Sequence, residues 1–135
     1  MPFSMRPLND GKGLLVKGFG HVSDQEYRDF VQNALVPQTD DTVSHKFCFH
    51  DYTDVESVGV HSETISETGR RAAKLFENNP GMLMAVAAPS DLVYGLANMW
   101  SVWADNEDTQ TRLFRDSEKA REWLRAEVFG SRAVA

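Results

Sequence analysis

The sequence predicts an α/β domain with a four- or five-stranded, largely parallel (mixed) sheet and about four helices. Three observations carry this. Short apolar runs bounded by glycine or proline alternate with longer amphipathic stretches along most of the chain, the order of strand followed by helix. One run, Met82 to Ala88, is apolar at nearly every position, as a strand covered on both faces must be. The 135 residues, 41% of them hydrophobic, suit a single domain with its own core.

Met1 to Asp10 has no clear period and leaves room for a short edge strand before a turn at Asp10-Gly11. Gly13 to Phe19 is a glycine-edged apolar run and reads as a strand. Ser23 and Glu26 have the spacing of a capping box. The helix they open carries Tyr27, Phe30, Val31, Ala34 and Leu35 on one stripe and stops at Pro37. Gln38 to Thr42 is polar loop. Val43 to His50 is the next strand, with Phe47 and Phe49 on one face and Cys48 on the other. Its polar members His45, Lys46 and His50 place it near a sheet edge, and Asp51 to Gly59 reads as the loop that follows.

A helix over about Ser62 to Asn78 is expected to bury Ile65, Gly69, Ala72, Ala73 and Phe76, its small residues allowing close approach to a neighbour. Asn78 to Gly81 is a turn. After the central strand Met82 to Ala88, Ser90 caps a helix whose first turn holds Asp91, where exposed amide dipoles favour a carboxylate. Its inward stripe is expected to be Leu92, Val93, Leu96, Met99, Trp100 and Trp103. Gln110 to Phe114 is a brief last strand. Asp116 or Ser117 caps a final helix with Ala120, Trp123, Leu124 and Val128 on one face, and the chain past Gly130 is expected to fray.

The formal net charge of -6 is placed unevenly: 5 basic and 11 acidic residues through Thr68, then 9 of each. An acidic first half disfavours non-specific contact with nucleic acid or an anionic membrane. Arg70, Arg71 and Lys74 read as the solvated face of their helix. No apolar run approaches the roughly 20 residues of a spanning helix, and no basic-then-apolar leader opens the chain. Cys48 is the single cysteine. A cytoplasmic protein without transmembrane segment or disulfide is therefore expected.

Two segments carry a resemblance: Met84-Ala-Val-Ala-Ala-Pro-Ser-Asp-Leu-Val-Tyr-Gly-Leu-Ala-Asn-Met99, and Arg112-Leu-Phe-Arg-Asp-Ser-Glu-Lys-Ala-Arg-Glu-Trp-Leu124. Together with the glycine-bounded strand ending at Gly18 to Gly20 and the helix entry from Ser23 to Phe30, they resemble the SpoIIAA-like group of small bacterial proteins. That group is related in fold to the STAS domains, which include anti-sigma factor antagonists. The resemblance spans roughly residues 13–128 and implies one domain, a mixed sheet and helices packed mainly on one side. In the antagonists a phosphorylatable serine starts the helix after the second core strand. The matching region here is Asp51 to Ser62, which makes Ser57 and Ser62 the candidate phosphorylation positions. The antagonists' aspartate-rich loop ending in two serines and a glycine is absent, with Ser57-Val58-Gly59 in its place.

Chemistry-bearing side chains are few. His45 and His50, five apart, face opposite ways on one strand and make no metal pair there. His50, Asp51, Asp54 and His61 form a candidate polar site if they converge at a strand end, where open α/β sheets place ligands. Cys48 between two phenylalanines reads as an inert small hydrophobe. There is no glycine-rich phosphate loop and no Gly-x-Ser-x-Gly elbow, and Asp105, Glu107 and Asp108 lack EF-hand spacing, so no cofactor, metal or catalytic residue is assigned. Tyr94, Met99, Trp100 and Trp103 concentrate large apolar surface on one short helix. This is core packing, a homodimer patch or a cleft for an apolar ligand. The expectation is a non-enzymatic regulatory or interaction module that self-associates. The alternatives are a binder of a small or lipid-like molecule and, third, a small enzyme using His50, Asp51 and His61.

Overall fold

The structure, a computed structural model, describes residues 2–35, 45–77, 79, 81–105 and 110–129. Strand β1 (Phe3–Leu8) turns into β2 (Gly13–Ser23), followed by α1 (Asp24–Phe30), which continues as a π turn over Val31–Leu35. Then come β3 (Phe47–Gly59), α2 (Ser62–Phe76), β4 (Leu83–Ala87), α3 (Asp91–Ala104), β5 (Gln110–Phe114) and α4 (Ser117–Phe129). The expectations at Pro37, Gln38 to Thr42, Val43, Asn78, Pro80, Glu107, Asp108 and past Gly130 lie outside the described residues. No described helix is long and apolar enough to cross a membrane.

The five strands lie in the order β1-β2-β3-β4-β5, with β1 antiparallel to β2 and every later pair parallel. The hairpin between β1 and β2 turns through Asn9, Asp10 and Gly11, all at positive φ, a conformation these three residue types tolerate best. Side-chain alternation then divides the core. Leu14, Val16, Cys48 and Met84 face one side, where Phe30, Phe76 and Ala104 of the first three helices pack. Leu15, Phe47, Phe49, Ala85 and Ala87 face the other, covered by Ala120 and Leu124 of α4. Three helices on one face and one on the other is the α/β arrangement the sequence and its resemblance imply.

Local signals read from the sequence appear as expected. Ser23 Oγ accepts from the Glu26 N–H while the Glu26 carboxylate accepts from the Ser23 N–H, both at 3.1 Å. Ser90 Oγ caps α3 by accepting from Val93 N–H at 3.2 Å, and Asp116 accepts from Glu118 N–H at 2.7 Å before α4.

Three expectations are corrected. Asp51 to Gly59 is not a loop: β3 runs on through it, paired with the continuation of β2 up to Ser23. Register shifts between Lys17 and Phe19 and between Gly20 and His21 break the period of two there. The inward residues Tyr52, Val55 and Val58 are consequently spaced by three, and no strand pattern is visible in the sequence. Nor is β3 near an edge, since β2 and β4 flank it. Third, the inward side of α3 is Val93, Leu96, Trp100 and Ala104, whereas Leu92, Met99, Val102 and Trp103 are exposed, Leu92 at 58% and Val102 at 72%.

Helices α2 and α3 meet at Gly69. A Cβ there would stand 2.7 Å from the Trp103 Cβ and 2.9 Å from the Trp100 carbonyl oxygen, so the site admits glycine only. Gly69→Ala is expected to destabilise the protein by about 1–3 kcal/mol despite alanine's better helix propensity, because backbone must move to make room. A lower urea midpoint at unchanged slope would show it; an unchanged or raised midpoint would refute the close packing.

Candidate functional site

Because β3 is extended, Cys48, His50 and Tyr52 point to the same face, toward α1, α2 and α3. They form a buried polar row: Cys48 Sγ lies 3.3 Å from His50 Nε2, and His50 Nδ1 lies 2.9 Å from the Tyr52 hydroxyl. Burial pushes the Cys48 thiol up to about 12 and the His50 imidazole down to about 4. Burial, with Tyr27 and Cys48 nearby, holds the Tyr52 phenol well above its ordinary value. At neutral pH the row is therefore a thiol, a neutral imidazole and a phenol. It carries no charge and presents no thiolate nucleophile.

In front of this row lies a cavity of about 110 Å³ between the sheet and the first three helices. Its wall is overwhelmingly apolar, including Val55 and Val58 of β3, Ile65 and Ala72 of α2, and Leu96 and Trp100 of α3. Polar atoms on the wall are mostly paired among themselves, as Tyr27 Oη with Thr68 Oγ1 at 3.3 Å. His45 also lines the cavity. Its Nδ1 lies 3.2 Å from the Gly11 carbonyl oxygen, which can only accept, so Nδ1 is the donor there. Its Nε2 is the one buried side-chain nitrogen or oxygen among the described residues without a hydrogen-bond partner. Arg71 is the one wall residue that is exposed and carries a fixed charge.

The sequence candidates divide. Trp100 lines the cavity and packs edge-on against Phe76, ring centroids 6.2 Å apart. Trp103 and Met99 turn outward, Trp103 beneath the Arg70 guanidinium at 4.8 Å, and Tyr94 lies under Arg115 at 4.0 Å. His50 faces the cavity, while Asp51 alternates to the opposite face of the sheet and accepts from the Thr53 N–H and hydroxyl. Asp54 is exposed and 3.9 Å from Lys17. His61 is exposed at the start of α2, its N–H donating to Asp24. The structure therefore does not gather His50, Asp51, Asp54 and His61 at one point, and no metal-holding cluster occurs among the described residues. Ser57 is exposed with its hydroxyl 2.7 Å from His21 Nδ1, and Ser62 is exposed as the first residue of α2.

His45, Tyr52 and Arg71 were not singled out as site residues from sequence. His45 precedes β3 instead of lying within it, which lets it share the cavity with His50. The spacing of Cys48, His50 and Tyr52 by two carried the signal, hidden by ending the strand at His50. For Arg71, the signal was its place three residues after Thr68 and four before Leu75 on a helix, both of which share the cavity wall.

No family model matches the chain, and no curated protein matches it. Among solved structures, it is similar to an uncharacterized DUF3478-family protein with a SpoIIAA-like fold from Shewanella loihica PV-4. The TM-score is 0.58 at 15% identity, covering 90% of this chain and 91% of that one. The fold is thus SpoIIAA-like, a mixed five-stranded sheet with four helices.

Burial of His50 has a consequence for pH. The folded imidazole takes a proton only near pH 4, whereas the ordinary value is 6.5, so between those values the unfolded chain binds more protons. Stability is expected to fall as pH drops from 6.5 to 4, by on the order of 3 kcal/mol, then to level off for this group. Urea titrations across that range should show the slope in the wild type and a flatter one in His50→Gln. Equal slopes would mean that His50 is not the titrating group.

Proposed function

We propose that this protein binds a small apolar molecule in the cavity between β3 and helices α1, α2 and α3. The cavity itself carries the reading. Protein interiors contain few voids larger than a water molecule. An apolar wall that no hydrocarbon covers forgoes burial worth roughly 25 cal/mol per Å². An apolar occupant recovers much of that. The polar row along β3 supports the same reading, because its members satisfy one another and leave the wall to hydrocarbon. The neutral state of Cys48 and His50 at physiological pH suits holding a molecule better than attacking it.

The test uses 1-decanol followed by methyl NMR. Shifts concentrated on Ile65, Leu75, Val86, Val93 and Leu96 are expected. Ala72→Phe, which projects a ring into the space, should weaken binding at least about tenfold. Absence of saturable shifts, or shifts scattered over the surface, would overturn the proposal.

A second reading, self-association, rests on the outer side of α3, where Leu92, Met99, Val102 and Trp103 are exposed in one stripe. From Leu92 to Ala104 this helix carries no charged residue, so it offers a partner's charges nothing to pair with. A second copy brings the same apolar stripe and is self-complementary across a two-fold axis. Sedimentation equilibrium should show a dimer that Val102→Glu converts to monomer; a wild-type monomer at high concentration would dismiss this reading.

A further inference from the structure

The cavity has one charged rim residue, and its surroundings point to the kind of molecule that fits. Arg71 lines the space from α2 beside Thr68, Ala72 and Leu75, facing Tyr27 and Val31 of the α1 segment. Its Nη1 donates to the carboxamide oxygen of Gln32 at 2.5 Å, a neutral partner. Among the described residues no carboxylate pairs with Arg71, whereas Arg28 is bridged to Asp24 and Glu67, and Arg115 to Asp91. A guanidinium has five N–H donors in a rigid fork that matches a carboxylate in two parallel bonds. Arg70 and Lys74 lie on the same helix, and Glu67, four residues before Arg71, is engaged by Arg28.

Shape narrows the choice further. The wall reaches from Ile65 to Phe76 along α2, which at the helical rise per residue is roughly 16 Å. A hydrocarbon chain laid along that length meets apolar side chains of α2, α3 and β3 throughout. We infer that the ligand is a single-chain carboxylic acid, its hydrocarbon lying along the Cys48-His50-Tyr52 face and its carboxylate held at the rim by Arg71. This rests on the proposal that the cavity takes a ligand, and it adds the head group and the chain.

Decanoate and 1-decanol, matched in chain and differing in head group, separate the two claims. Both would be titrated calorimetrically, below their aggregation limits, into the wild type, Arg71→Gln and Arg70→Gln. Decanoate is expected to bind the wild type at least about tenfold more tightly than 1-decanol. Arg71→Gln should erase that preference, bringing decanoate to the affinity the same variant shows for 1-decanol, whose saturable binding also shows that the variant is folded. Arg70→Gln, whose guanidinium lies over Trp103 and not on the cavity wall, should keep the preference. Equal affinities in the wild type, or a preference that survives in Arg71→Gln, would overturn the head-group assignment and leave the cavity proposal standing. Failure of both molecules to bind any of the three proteins would overturn the cavity proposal and this inference with it.

Discussion

The architecture depends on a mismatch of strand lengths: β3 has 13 residues and β4, beside it, has 5. Pairing with β4 ends at Asp51, and beyond that point β3 is held by β2 alone, through two register shifts. This two-stranded extension brings Val55 and Val58 opposite α2 and α3, so sheet and helices enclose a space instead of meeting as flat layers. At one end the helices are tied down by a single carboxylate. Asp24, in the first turn of α1, accepts from the His61 N–H at 2.9 Å and the Thr64 hydroxyl at 2.7 Å, and from Arg28 Nε at 2.9 Å. Against the desolvation that raises its pKa, the bonds from His61, Thr64 and Arg28 hold it at about 2. The starts of α1 and α2 are thus fixed to each other, and the rim residues of both helices follow from that junction.

A polar row inside an apolar chamber is an expensive feature unless it is internally satisfied. The spacing by two along β3 provides this. Thiol, imidazole and phenol stand in line, each within reach of the next, and the ends of the row need nothing from the helices. His45 differs, because its one bond to the Gly11 carbonyl leaves the second ring nitrogen without a hydrogen-bond partner among the described residues. The outer side of α3 follows from the same geometry. With Gly69 drawing α2 against Trp103 and the Trp100 carbonyl, the helix is set by that contact, and Leu92 and Val102 are left on the solvent side.

Much of the fold is legible in the sequence because its signals are local. Ser23 with Glu26, Ser90 and Asp116 mark helix starts through hydrogen bonds that depend on a few neighbouring residues, and Met82 to Ala88 announces a strand buried on both faces. Asp51 to Gly59 was not legible: a bulged strand spaces its inward residues by three, and its exposed positions are filled by Thr53, Asp54, Glu56 and Ser57. The orientation of α3 was misjudged for a related reason. Both sides of that helix are apolar, so hydrophobic periodicity cannot choose between them, and close approach at Gly69 chooses instead. The cavity is a property of how far layers stand apart, which no periodicity encodes. Trp100 was singled out with core packing, a dimer patch and a ligand cleft all open, whereas Arg71 was read as part of a solvated charge cluster, since a rim residue is solvated and wall-forming at once.

Cys48 is the only sulfhydryl in the chain, it belongs to the cavity wall, and it is buried. A thiol-specific reagent added to the native protein can therefore report on one place alone, as the cavity opens in front of β3. The rate at which the protein gains a single label becomes a clock for that opening, running on local fluctuation while the rest of the sheet stays intact.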